Sequence, residues 1–316
     1  MGKYLLRRLV ALIAIVFVVS FGASMLIHLL PGSPAAAVLG LGYNQQTAAA
    51  FNHQFGLDRP LWEQYFVWIN NILHGHLGIS FTSHVAVWNT IKSALPIDLE
   101  LIVISQVLAV ALAVPLAMKA ARRPDSLIDR VLSASSFGML SIPPFVLILL
   151  LVLLVAIKWG VPHTGPGAFV FINENFVVNV TSLALPSIVL ALTSFVSYFR
   201  VLRADLIATL QEEFITMARS KGLKQSRIFW RHAFRPSSVA LLGAMGVQIG
   251  GLLAGGFVIE SLMAIPGIGF QLVSAITQSD YVLVQAIVLI VSVFVVLINF
   301  LFDFIITLID PRISRD

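Results

Sequence analysis

Six long apolar stretches punctuate the chain, at residues 9–30, 97–118, 131–157, 183–199, 239–259 and 282–309. A helix that crosses a bilayer needs about 20 mostly apolar residues, so each stretch predicts one spanning helix. The fourth is the shortest and carries Thr193, Ser194 and Ser197, whereas the sixth is long enough to tilt or to run on past the membrane. Pro115, Pro143, Pro144 and Pro186 lie in or at these stretches; each removes a backbone donor and marks a kink. Residues 31–96 form a loop on the far side from the N-terminus. Within it Leu61, Tyr65, Trp68, Ile69 and Ile72 recur at helical spacing, a stripe that packs on span ends or lies in the membrane interface. With no internal repeat and no low-complexity linker, the pattern predicts an all-α polytopic membrane protein with one membrane domain over 1–316.

Composition agrees with a bilayer as the solvent. The chain is 58% hydrophobic and 11% charged, where soluble domains carry about 25% charged residues. Its basic residues fix an orientation through their excess in cytoplasmic loops. With the N-terminus inside, Lys3, Arg7, Arg8, Lys119, Arg122, Arg123, Arg130, Arg312, Arg315 and eight residues of the 200–236 loop are cytoplasmic. Only Arg59, Lys92 and Lys158 fall outside. Both termini are therefore expected in the cytoplasm. A cleaved signal peptide is the alternative for the first stretch, but its apolar run is too long and cleavage would leave five spans. The net charge of +5 sits beside the spans rather than in one continuous patch, which argues against nucleic acid as a partner. The chain has no cysteine, so thiolate metal sites and cysteine nucleophiles are excluded.

The missing chemistry narrows the function. No GxxxxGK[ST] phosphate loop occurs, and no His, Asp and Glu cluster has metal-ligand spacing. His74 and His76 flank Gly75 and read as loop residues. Ion-coupled transporters place ionisable groups at mid-membrane, yet Asp98, Glu100, Glu260, Asp280 and Asp303 all sit near span ends, as does His28. Asn179-Val-Thr is a glycosylation sequon by pattern but abuts a span. The fifth stretch carries Gly243, Gly246, Gly250, Gly251, Gly255 and Gly256, with GxxxG spacing at Gly246–Gly250 and Gly251–Gly255. Such spacing permits close helix approach in lipid, and tight packing is the first reading; a helix that lines a path and can slide is the sharper one, and the two are compatible.

Residues 200–236 are the richest segment. Arg200, Arg203, Arg219, Lys221, Lys224, Arg227, Arg231 and Arg235 are eight of the chain's twenty Lys and Arg. Gly222 fits a helix C-cap or sharp turn and predicts two short helices broken there, each with an apolar stripe and a basic face. Physics alone leaves two readings, a helix pair resting on anionic headgroups or a hairpin that docks a protein.

At this point the residues resemble the inner-membrane permease subunits of binding-protein-dependent ABC importers, within them the first permease of the dipeptide, oligopeptide and nickel branch. Those permeases carry a cytoplasmic signature loop with an Ala four residues before a Gly and a basic segment after it. Ala218 and Gly222 match, set in EEFITMARSKG, and His232-Ala-Phe-Arg235 matches the stretch that follows. Where the broader signature has Glu-Ala-Ala, this chain has Thr216, Met217 and Ala218, as is usual in the peptide branch. The ordered series covers nearly the whole chain. It takes in Arg7 and Arg8, the span ending His28-Leu-Leu-Pro-Gly-Ser-Pro34, Phe55-Gly-Leu-Asp-Arg-Pro60 and Gly75-His-Leu-Gly-Ile-Ser80. Later members are Gly255-Gly256 with Glu260, Pro266-Gly-Ile-Gly269, Asp280-Tyr281 and Asp310-Pro-Arg-Ile313. Ser33 and His76 stand where relatives often carry Asp, so no role for an acid there is carried over.

The resemblance implies a type I importer permease of six transmembrane helices in a bacterial plasma (inner) membrane, with no cofactor and no catalytic residue of its own. It implies a second homologous permease, two ATPase subunits that hold ATP and Mg, and an extracytoplasmic substrate-binding protein that delivers a peptide. Coupling is expected at Glu213, Phe214, Ala218, Arg219, Gly222, Leu223, His232 and Arg235, and helix packing or path lining at Gly246, Gly250, Gly251 and Gly255. Gly222 would permit the bend, Ala218 close docking, and Arg219 would meet acidic ATPase surface. Relatives import nickel chelates or glutathione as well as peptides. An ion-coupled secondary transporter, disfavoured by the empty mid-membrane charge inventory, and a non-transporting scaffold that uses the basic loop to recruit a protein are the other classes.

Overall fold

The computed structural model describes residues 2–29, 34–39 and 42–309. Expectations that touch Leu30 to Ser33, Arg312, Arg315 and the 310–313 stretch lie outside the described residues, as do the side chains of Lys3, Arg7, Arg8 and His28. Helices follow in the order α1 (Gly2–Leu29), α2 (Pro34–Leu39), α3 (Gln45–Gln54), α4 (Leu61–Leu73), α5 (Val87–Arg122) and α6 (Leu127–Leu140). After α7 (Pro144–Leu151), which continues as a π-helical turn through Lys158, come α8 (Phe176–Thr209), α9 (Glu213–Ser220) and α10 (Gln225–Arg227). A second π-helical turn, Ile228–Ala233, leads into α11 (Phe234–Met263), followed by α12 (Ile268–Thr277) and α13 (Tyr281–Ile309). Among the described residues no strand forms; one isolated antiparallel bridge joins Ile79 and Ala86.

Val87–Arg122, Phe176–Thr209, Gln225–Leu253 and Tyr281–Ile309 are each long and apolar enough to cross a membrane. The 131–157 stretch is not one straight helix, because α6 and the helix from Pro144 to Lys158 meet at 97°. Pro144 opens α7 with no N–H to donate, and Pro143 sits extended before it at φ −58 and ψ 139. A proline also drives the residue before it out of helical conformation. Other spans overrun their apolar stretches. At about 1.5 Å per residue, the 34 residues of α8 far exceed the roughly 30 Å of hydrocarbon. Arg200 and Arg203 therefore ride on α8 itself rather than on a loop.

The chain forms two compact units. The first comprises residues 99–265 with 297–309. Its core joins Ala109, Ala113 and Ala117 of α5 to Phe195, Phe199, Leu202 and Leu206 of α8 and to Ile215, Ile228, Phe229 and Leu241. Ala109, Ala113 and Ala117 are spaced by four and fully buried, so α5 presents a flat face to its neighbours, as small residues do between helices in lipid. Inside this unit Tyr198 donates a short hydrogen bond to Gln106, whose amide donates to Ser194 at 3.3 Å. Near one end, Arg203 grips Asp129 with two bonds of 2.5 and 2.6 Å and ties α8 to the first turn of α6. Asn179 is 1% exposed and donates to Val170 O at 2.9 Å and Glu100 at 3.2 Å; the sequon is sealed.

The second unit comprises the described residues of 2–98 and 266–296. Two buried carboxylates organise it. Asp280 precedes α13, accepts from Leu283 N at 3.3 Å as an N-cap, and gathers Ser80, Thr82 and the Phe81 N–H. Asp98 on α5 accepts from Ile268 N at 2.7 Å, the first residue of α12. Both meet unpaired N–H groups and the positive end of a helix dipole, which explains acidic residues in so apolar a chain. Helix α4 packs on α1, where Tyr65 shares a 2.9 Å hydrogen bond with Ser20 and sits edge-on to Phe17 and Phe21. Replacing Asp280 with Ala strands three or more buried donors. Thermal unfolding in detergent is expected to show a loss of about 3 kcal/mol or more, while Asp280→Asn retains part of the cap.

Candidate coupling surface

Residues 210–212 turn the chain from α8 into α9, where the N–H groups of Ile215 and Thr216 donate to the Glu212 carbonyl at 3.0 and 3.3 Å. Helix α9 has two apolar faces. Ile215 and Ala218, three residues apart, point into the core at 0% and 6% exposure. Phe214 and Met217, also three apart, point outward at 43% and 56%. Glu213 in the first turn and Arg219 in the last are both exposed and complement the helix dipole.

The end of α9 explains the spacing of the small residues. Gly222 N donates to Arg219 O at 2.9 Å and Leu223 N to Ala218 O at 3.3 Å. This is the Schellman pairing, in which the residue just past the cap takes the left-handed conformation; Gly222 does so at φ 73. A Cβ there would meet nothing within 4 Å, so the demand for glycine is conformational and not steric. Leu223, half-buried, packs against the same core as Ala218. An Ala and a Gly four residues apart are thus the two ends of one helix-stop. Ala218 lies in the chain's own interior, and its small size serves internal packing rather than an outward face.

Past the turn the chain departs from a second short helix. Residues 225–227, the π turn and α11 form one unbroken helical run from Gln225 to Met263. The π turn ends three residues before Pro236, whose missing N–H and bulky ring disturb the regular ladder at His232. Ile228, Phe229 and Ala233 are buried, while Trp230 is 53% exposed and packs edge-on to Phe234 at 5.6 Å. The Arg122 guanidinium, at the end of α5, lies 5.1 Å from the centre of the Phe229 ring. His232 is half-buried, and Arg235 is exposed on the first turn of α11. The outward set is therefore Phe214, Met217 and Trp230, with exposed Arg219, Lys221, Lys224, Arg227, Arg231 and Arg235 around them in sequence. Sequence reasoning placed Met217 and Trp230 in the apolar stripes of this segment but not among the coupling residues. Their signal was present in the alternation of 214 and 217 with 215 and 218, which puts apolar residues on both sides of one short helix.

The glycines of α11 differ among themselves. A Cβ on Gly246 would stand 3.2 Å from Phe302 Cβ and 3.3 Å from Asn299 Oδ1, so there α11 closely approaches the end of α13. Gly251 and Gly255 have nothing within 4 Å of a Cβ and are exposed, as are Val247 and Val258 on the same helix. Gly250 is half-buried.

Comparison with known proteins gives this arrangement a context. The family described as "Binding-protein-dependent transport system inner membrane component" matches residues 113–315, and its N-terminal counterpart matches residues 1–102. The chain is 30% identical to the dipeptide transport system permease protein DppB of Escherichia coli K12, over 100% of this chain and 99% of that protein. It is 32% identical to the di/tripeptide transport system permease protein DppB of Pseudomonas aeruginosa over the same shares. Identity is 29% to the oligopeptide transport system permease protein AppB of Bacillus subtilis, over 99% of this chain and all of the relative.

The helix-stop makes a graded prediction. Gly222→Ala places a Cβ in the left-handed region and is expected to cost about 1 kcal/mol, and Gly222→Val more. Gly222→Asn, a residue that tolerates this conformation, should cost least. Amide exchange at Gly222 and Leu223 reads the order directly; equal protection in all three variants would remove the conformational argument.

Proposed function

The chain belongs to the binding-protein-dependent transport system inner membrane component family, and from that premise we propose that it is a permease subunit of an ATP-driven peptide importer. It is a multi-pass membrane protein and a transport permease, not an enzyme. The observation that carries the peptide assignment is end-to-end similarity to permeases named for dipeptide, di/tripeptide and oligopeptide transport. In this reading residues 1–316 are one permease domain with both termini in the cytoplasm, as seventeen of the twenty Lys and Arg falling on one side supports. A second homologous permease completes the path, two ATPase subunits supply ATP with Mg, and an extracytoplasmic protein delivers the peptide.

The 200–236 segment couples this chain to an ATPase. Phe214 and Met217 enter an apolar recess of the partner, in the manner of apolar side chains that anchor interfaces, and Arg219 with its basic neighbours steers the approach. Glu213, His232 and Arg235 frame the contact, while Ala218, Gly222 and Leu223 hold α9 rigid so that a push on it is not dissipated. Force then passes along the unbroken helix from Gln225 into α11, where Gly251 and Gly255 leave the helix surface open. Gly246 and Gly250 allow α11 to lie close to its neighbours. The buried Ile215, Ala218, Ile228 and Phe229 share one core with α5 and α8, so displacement of α9 reaches three spans at once.

The double variant Phe214→Asp with Met217→Asp leaves the inward face of α9 intact. It is expected to insert normally and to lower ATP-dependent peptide uptake in proteoliposomes by at least tenfold, with loss of peptide-stimulated ATP hydrolysis. Undiminished uptake would sink the coupling assignment, and failure of any ATPase to co-purify with the wild-type chain would sink the importer reading.

A further inference from the structure

Helix α8 carries two arginines, Arg200 and Arg203, within one turn, and they are answered differently. Arg203 is spent on Asp129 at the start of α6. Arg200 lays its guanidinium over the Phe137 ring, 4.6 Å from the centre, and among the described residues it has no hydrogen bond or ion pair. Stacking covers one face of a guanidinium and leaves its in-plane N–H groups unanswered. The depth of this pair makes that costly. Arg200 follows directly on the apolar stretch 183–199, and Phe137 lies inside the stretch 131–157. Helix α6 runs antiparallel to α8, for Asp129 meets Arg203 while Met139 and Leu140 share a small hollow with Leu192 and Val196. Phe137 therefore stands about 12 Å past Asp129 along α6, toward the middle of the bilayer. The Arg200 side chain leaves α8 tilted toward the helix N-terminus, which is the same direction. A cation that reaches into hydrocarbon calls for an anion. Arg122 also stacks on a ring, that of Phe229 at 5.1 Å. It is the last residue of α5, however, where unpaired carbonyls and the helix dipole answer a positive charge. Arg200 lies inside α8 and has no such help.

We propose that Arg200, held on Phe137, is a binding site for the phosphate of an anionic phospholipid in the leaflet on the α9 side. A guanidinium fork matches two phosphate oxygens at once, and basic groups between spans recognise anionic headgroups. The surroundings select a lipid over a soluble anion. Phe137 and Leu140 are 55% and 53% exposed, and Val201 beside Arg200 is exposed too. Phe137 and Leu140, three residues apart on α6, lie on one side of the helix and offer an apolar surface to an acyl chain. The Arg203–Asp129 pair fixes α6 against α8 one turn away, so the ring and the guanidinium are held in register before any lipid arrives. Such recognition needs a bilayer around the chain; it does not need a peptide to cross it.

The test is native mass spectrometry of the full chain in detergent, titrated with phosphatidylglycerol or phosphatidylcholine. The first phosphatidylglycerol is expected to bind at least about fivefold more tightly than phosphatidylcholine. Arg200→Gln should weaken that first binding about fivefold and erase the preference. Arg200→Lys keeps the charge but loses the fork and should fall between; it also serves should the Gln variant fail to fold. Arg123→Gln removes an equal charge from an exposed position nearby in the fold and should leave binding unchanged. Equal binding by wild type and Arg200→Gln, equal binding of the two lipids, or the same loss in Arg123→Gln would each overturn the proposal. So would release of the bound lipid by inorganic phosphate, which would make the ligand a free ion, or by glycyl-leucine, which would make it a peptide carboxylate. Peptide uptake is read separately: lipid binding without uptake leaves the site standing and removes the importer, and uptake without selective lipid binding does the reverse.

Discussion

Inside hydrocarbon a peptide N–H or C=O with no partner costs several kcal/mol, and every helix that stops leaves up to four of each. Where a helix stops is therefore the decisive physical question for this chain, and the structure answers it with a small set of devices. Gly222, Ala264 and Ser279 each turn left-handed just past a helix, at φ 73, 52 and 55, so that the last carbonyls are taken up by the chain's own next amides. At the other ends Asn175, Ser126 and Asp280 accept from the first amides of α8, α6 and α13. Two of the scarce carboxylates, Asp98 and Asp280, are spent on such ends. Both are buried where backbone amides answer them, helped at Asp280 by the hydroxyls of Ser80 and Thr82.

These caps also explain what was readable in the sequence. Apolar runs of about 20 residues specify spanning helices directly, and the basic residues that flank them are visible one by one. The signature around Ala218 and Gly222 was readable as a pattern, and the resemblance it carried agrees with the family to which the chain belongs. The break before Pro144 was half readable. Two prolines mark a kink, but only the surrounding packing decides that the angle reaches 97°.

The rest depends on partners far apart in sequence. Ser80 and Asp280 are 200 residues apart, and Asp129 and Arg203 are 74 apart; no local period announces either pair. Helix α8 continues through Arg200 and Arg203 because Leu202 and Leu206 are buried by residues from other helices, so charge alone placed the boundary too early. The inward placement of Ala218 was not readable for a related reason. Its burial is set by α9 packing back on the unit's core, a fact that periodicity over eight residues cannot supply. Trp68 is the reverse case. It belongs to an apolar stripe that looked purely structural, and only the three-dimensional arrangement reveals an indole nitrogen with nothing to bond.

The Ala218–Gly222 interval has a meaning for pattern recognition at large. Both small residues are grammar: one lets a helix sit close to its own core, the other lets it end. Neither names a partner. On the coupling reading proposed above, what distinguishes one interlocutor from another would be written in the positions between and before them, 214, 217 and 219, whose side chains are exposed. Two proteins could therefore share the small residues completely and yet answer to different motors, and a motif built on the small residues alone would group chains by how their short helix stops rather than by what moves it.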